Sequence, residues 1–172
     1  MTDIQLSGTQ WETAREHLRG HVEQVGFFLA DYDIESNRFV VREWRPLPAE
    51  AFEIQTSYHV TLKDELRPEL IRWAFEGGAS LIEAHSHGDM GLARFSPSDI
   101  LGFRDWVPHV RWRLGGRPYA AIVTAGESFD ALAWREGGDP VQVDQIITDE
   151  ASFEATRQTL LRLVVDQRQE TR

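Results

Sequence analysis

The chain has no cysteine among its 172 residues. Disulfide frameworks, thiolate-held zinc and thiol nucleophiles are therefore excluded, and any metal must be held by histidine, carboxylate and water. Long apolar runs are also missing. No window of about 18 apolar residues occurs, so nothing reads as a membrane span. The stretch MTDIQLSGTQWETAREHLRG lacks the basic start and apolar core of a secretory signal, and the expectation is a cytoplasmic protein. Basic charge is scarce. Eighteen Lys and Arg stand against 28 Asp and Glu, a net charge of −10, and no basic cluster marks a phosphate-binding face; this argues against a nucleic-acid partner. Lys63 is the only lysine, a bias that GC-rich coding accounts for.

What is present reads as one domain, large enough to bury about two-thirds of the surface its unfolded form exposes. Thr9 to Glu12 matches a capping box, and Trp11, Ala14, Leu18 and Val22 recur at helical spacing, with Gly20 as a stop. Val25 to Ala30 suits a buried strand, Asp31 to Asn37 a turn and Arg38 to Trp44 a second strand, which makes a hairpin. Tyr58 to Leu62 is strand-like. Leu66, Leu70, Trp73 and Ala74 form a helical stripe ended by Gly77-Gly78, and Ser80 to His85 reads as a strand. Ser96 fits an N-cap, Pro97 the first helical position and Asp99 the third, for a helix expected to end near Val107, before Pro108. Strands are expected over Arg117 to Ala125, Ser128 to Arg135 and Val141 to Thr148, and a last helix from Ser152 with Phe153, Leu160, Leu161 and Val164 on one face. Interleaved helices and strands without a repeat or linker imply a single mixed α/β domain, a central sheet flanked by helices.

The stretch LIEAHSHGD, residues 81 to 89, carries the chemistry. On a strand, positions i and i+2 share a face, so His85 and His87 can present both imidazoles to one metal while Ser86 points away. Asp99 in the first turn of the following helix can turn toward the same metal. Two imidazoles and a carboxylate are the three protein ligands typical of catalytic zinc, with a fourth position open for water. Such water needs a nearby base that is not itself a ligand. Glu23, just before the strand at Val25, can reach it if that strand lies beside the 81–87 strand; the other reading of Glu23 is a solvated carboxylate at a helix end. Glu83 shares the imidazole face and is a rival base. A second metal pattern, His-x-His-x-Asp-His of metallo-β-lactamases, fits through Asp89 but fails at Met90. His17 and His21 have i, i+4 spacing on an exposed helix face, and His59 and His109 read as structural.

Together, Glu23 with its following Gln-Val-Gly-Phe-Phe-Leu, His85-Ser86-His87 and Ser96-x-x-Asp99 resemble the JAMM signature of MPN-domain (JAB) metalloproteases. The likeness spans about residues 22 to 134, with a C-terminal strand and helix over 141–167 completing a single domain, 1–172. The resemblance implies an MPN-like fold, zinc held by His85, His87 and Asp99, Glu23 as general base and Ser96 as oxyanion donor. Two departures stand out. Gly88 replaces the proline that usually follows the second histidine, and the eight-residue spacer GDMGLARF is one longer than usual.

The implied activity is metal-assisted hydrolysis of the isopeptide bond between a ubiquitin-like protein and a lysine, or maturation of such a protein's C-terminus. The implied partners are that protein, its conjugates, and the activating and conjugating enzymes of bacterial operons, antiphage ones among them. Without an appended ubiquitin-like or activating domain, substrates are expected in trans, and the near-absence of lysine would suit a chain living among lysine-directed ligases. A JAMM hydrolase acting on a sulfur-carrier or small-molecule conjugate, or a non-catalytic MPN scaffold, are the alternatives.

Overall fold

Short apolar runs punctuated by turn residues become strands of one large sheet in the computed structural model, which describes residues 1–88, 91–136 and 138–161. The order is β1 (Asp3–Gln5), α1 (Gly8–Leu18), β2 (Val25–Asp33), β3 (Arg38–Pro46), a 3-10 turn at Ala49–Ala51, β4 (Phe52–Gln55), β5 (Val60–Leu62) and α2 (Leu66–Glu76). There follow β6 (Ser80–Ser86), α3 (Pro97–Arg113), β7 (Tyr119–Ala125), β8 (Ser128–Trp134), β9 (Val141–Gln142), β10 (Gln145–Ile147) and β11 (Ser152–Glu154). Helix resumes at 158–161.

Nine strands form a mixed sheet in the order β11-β10-β1-β3-β2-β6-β7-β8-β9, and β4 and β5 form a separate hairpin. The sheet must curl. β9 is at one end and β10 next to the other, yet only Val143 and Asp144 separate them, a link that spans roughly 10 Å. Those two residues bond to both margins: the Val143 amide donates to Ala131 O at 3.0 Å and the Asp144 amide to Thr2 O at 2.7 Å.

Strand alternation sorts side chains into two apolar clusters. Phe28, Ala30, Ile82, Ala84 and Ile122 meet Trp11 and Leu18 of α1, whereas Phe27, Leu29, Leu81, Tyr119 and Val123 meet α2 and α3. Because both faces are covered, β7 is buried along its whole length and reads as a continuous apolar run. Gly26 is fixed by packing, since a Cβ there would come within 2.1 Å of the Trp44 ring.

Several elements differ from the sequence reading. The first helix is capped by Ser7 and Gln10, whose side chains and amides exchange bonds of 3.1 and 3.0 Å, not by Thr9 and Glu12. The earlier start buries Leu6 and lets the Gly8 amide bond to Asp149. Since the helix stops at Leu18, Val22 and His21 lie beyond it, so His17 and His21 share no helix face. α3 runs through Pro108 to Arg113: proline forfeits one backbone bond, but Phe103, Val107 and Val110 are buried on either side of it and hold the helix together. The 141–148 run breaks into β9 and β10. Ser152 begins a strand, not a helix, because Phe153 pairs across from Ile146 around a turn tied by the Thr148 hydroxyl; long-range pairing overrides local spacing. Val164, with the rest of 162–167, lies outside the described residues, as does Asp89. Among the described residues, no helix is long and apolar enough to cross a membrane.

Candidate metal centre

β2 and β6 pair antiparallel with Val25 opposite His85, which brings the residue before β2 alongside the end of β6. Ser86 points away from its histidine neighbours and locks this junction: its hydroxyl accepts the Gln24 amide at 2.9 Å, and its own amide donates to Gln24 O at 3.0 Å. Glu23 is pinned from the other side. Its amide donates to Thr56 O at 2.7 Å, and its carbonyl accepts from the Gln55 side chain at 2.9 Å. The β4–β5 hairpin thus holds Glu23 against the strand end.

On the face of β6 that continues from Leu81, Glu83 and His85 turn toward α3, and His87 follows just past the strand. Ser96 caps α3, accepting the Asp99 amide at 3.2 Å, while Asp99 Oδ2 accepts from the Ser96 amide and hydroxyl, each at 2.7 Å. Asp99 is thereby aimed back at β6. His85 Nε2, His87 Nε2 and Asp99 Oδ2 form a compact triangle: 3.2 Å between the imidazole nitrogens, 3.6 Å from His85 to Asp99 and 3.2 Å from His87 to Asp99. Tetrahedral zinc with ligand bonds near 2.0–2.1 Å has ligand–ligand edges of about 3.3 Å. The three atoms lie at nearly that spacing and can hold a metal ion.

Their protonation supports the same conclusion. His87 Nδ1 lies 3.1 Å from the Arg94 carbonyl, which can only accept, so the proton is on Nδ1 and the Nε2 lone pair faces the triangle. His85 Nδ1 lies 3.4 Å from Glu83 Oε1, close enough for attraction though not an aligned hydrogen bond. A proton on that Nδ1 leaves a second lone pair facing the first and the Asp99 oxygen. Three acceptors converging on one point repel unless a cation or proton sits among them.

Burial works against charge on His85, yet the attraction of the Asp99 and Glu83 carboxylates prevails and raises it from 6.5 to about 10. Burial would likewise raise Asp99, but attraction to the His85 and His87 imidazoles and the hydrogen bond from Ser96 hold its carboxyl well below the usual carboxylate range. Glu23, only 7% exposed, is raised by burial, which outweighs the attraction of His87 and His85. Its Oε1 is 3.8 Å from His87 Nε2, so it borders the triangle without belonging to it.

Glu83 is no free carboxylate. Its Oε2 accepts from Tyr119 at 2.9 Å, and the Tyr119 oxygen accepts from the Trp106 indole at 3.0 Å. Burial, then the Glu83 charge, push the Tyr119 phenol well above its ordinary value, so it remains a donor. This chain ties α3 and β7 to His85, and metal-bound histidines typically donate their second nitrogen to such a carboxylate. Sequence spacing reveals that Glu83 shares the histidine face; Tyr119 and Trp106 have no local signal. The His85 ring also packs on Phe95, with centroids 5.6 Å apart.

All five residues expected at the site, Glu23, His85, His87, Ser96 and Asp99, line one cleft of about 680 Å³ with Glu83, and Val60 to Leu62 of β5 and Trp106 form other parts of its wall. His59 is there too, its Nε2 3.1 Å from the Thr61 hydroxyl. His17 is structural, bonding Val25 O at 3.0 Å and packing edge-on to Trp44, and His109 lies between Trp106 and Trp112.

No family model and no curated protein matches this chain. Among solved structures, it is similar to the solution structure of protein DSY2949 from Desulfitobacterium hafniense, with a TM-score of 0.55 and 16% identity over 90% of this chain and 97% of that one. At that identity the likeness concerns the fold alone.

Proposed function

We propose that this protein is a zinc-dependent hydrolase of the JAMM, MPN-domain type that removes a ubiquitin-like protein from lysine conjugates or matures its C-terminus. The observation that carries the reading is the His85–His87–Asp99 triangle, with ligand atoms at tetrahedral edge lengths and Glu23 3.8 Å from one of them. Zinc, when bound, supplies a Lewis acid and brings the pKa of water near 7. Glu23 takes the proton from water and returns it to the leaving amine; burial, which raises its pKa, makes it a better proton acceptor. Ser96 donates to the developing oxyanion, which requires its hydroxyl to turn from Asp99. Such a contact contributes about 3 kcal/mol.

Gly88 fits this reading despite replacing the usual proline. Its φ of 41° is in the left-handed region, which a proline ring, locked near −65°, cannot enter. An extended tail binds by adding a strand, and among the described residues β5 pairs only with β4, leaving an edge beside the cleft.

Purified protein is expected to carry one zinc and to cut ubiquitin-like fusions or lysine conjugates, read by intact mass and stopped by chelator. Glu23→Ala should keep the zinc and lose activity about 100-fold or more. Protein without stoichiometric zinc, or a Glu23→Ala variant of undiminished activity, refutes the mechanism. Zinc without cleavage of any fusion selects the smaller-conjugate alternative.

A further inference from the structure

The cleft is acidic at its floor. Glu23, Glu83 and Asp99 line it, but each is committed, to His87, to Tyr119 and His85, and to both histidines and Ser96 respectively. Among the described residues the wall holds a single arginine or lysine, Arg67, in the first turn of α2. Its guanidinium carbon lies 5.3 Å from the centre of the Trp106 ring on α3. Among the described residues Arg67 makes no ion pair, as is also true of Arg72 and Arg104; what sets it apart is its place in the cleft wall.

Among the described residues, then, the cleft wall places one cation without a counter-ion near three carboxylates that are held by other groups. Stacking steadies the planar group on one face and leaves its fork of N–H donors available, a geometry matched to a carboxylate. The neighbouring walls, Val25, Phe27, Leu62 and Phe103, are apolar.

We propose that Arg67 is a specificity-determining residue: the cleft takes a polypeptide segment in which a carboxylate-bearing side chain neighbours an apolar one, and the carboxylate pairs with Arg67 on the face of Trp106. The assignment builds on the hydrolase reading for the nature of the segment, but its binding does not depend on turnover.

The probes are synthetic peptides ending in Gly-Gly joined to a lysine side chain, with one residue set in turn to Glu, Gln or Arg at successive positions upstream, beside a leucine. Binding to the Glu23→Gln protein is measured by calorimetry, and cleavage by wild type is followed by mass. At one position Glu should bind about tenfold tighter than Arg, with Gln between, and the gap should shrink as salt is raised. Arg67→Gln should abolish the preference and Arg67→Glu invert it; Arg67 is exposed, so neither variant threatens the fold. No preference at any position, or a preference unchanged in Arg67→Glu, overturns the proposal. If the preference appears but no peptide is cut, the isopeptidase reading fails and the role of Arg67 stands.

Discussion

The two faces of β6 differ in almost everything but their backbone. Ile82 and Ala84 enter the closed cluster under α1 and are fully buried. Leu81 is equally buried on the other face, but Glu83 and His85 above it give that face over to charge. Alternation lets one strand do both: the apolar face supplies packing that holds the strand, and the polar face assembles groups that are stable together only around a cation or a proton. A buried cluster of this kind is weak evidence for stability and marks a candidate site.

Truncation should separate the faces. Ile82→Ala removes a wholly buried side chain and is expected to cost about 2–5 kcal/mol in denaturant unfolding. It should leave zinc binding intact in the fraction that remains folded. His85→Ala should do the reverse. The variant should fold but no longer gain from added metal, whereas wild type at zinc 1,000-fold above its dissociation constant should gain about 4 kcal/mol. Equal stabilisation of both proteins by zinc would show that the triangle is not the binding site.

Why the site was legible and the far end was not follows from the range of the interactions. His85 and His87 are two apart on a strand, and Ser96 and Asp99 three apart at a helix start; local geometry alone sets both, and the structure places them as their spacing suggests. The approach of Glu23 needed only that β2 lie beside β6, which it does. Beyond Val141 the chain instead closes the sheet. Gln145–Ile147 pairs with β1, more than a hundred residues earlier, and Ser152–Glu154 folds back on it, so helical spacing of Phe153 with Leu160 was coincidence. Glu83 lies between these cases. Its face was evident, but its role as partner to His85 depends on Tyr119, which is distant in sequence.

That role predicts an intermediate effect. Glu83→Gln keeps the acceptor for Tyr119 but removes the charge facing His85 Nδ1, and loss of such a partner typically costs 10–100-fold in metal affinity. Competition with a chromophoric chelator measures it. The absorption spectrum of cobalt-substituted protein should also change, which a purely structural role would not produce. Unaltered affinity and spectrum would reduce Glu83 to a neighbour of the site.

The smallest expected effect joins the poorly legible end to the legible one. Thr159, 3% exposed, accepts the Phe95 amide at 3.0 Å and donates to the buried Asp130 carboxylate at 2.7 Å, while the Thr156 hydroxyl donates to Ala93 O. The C-terminal segment therefore fastens residues 93–95 from beneath, and the Arg94 carbonyl within that stretch is what orients His87. Thr159→Val preserves shape and deletes the hydroxyl. The Phe95 amide loses its partner and Asp130 keeps the Thr159 amide and the Gln142 side chain, so the loss should be about 1–2 kcal/mol in stability. Zinc affinity should fall several-fold at most, because Arg94 is displaced rather than removed. A stability loss with unchanged zinc affinity would mean that the fold is braced here and the metal centre is not.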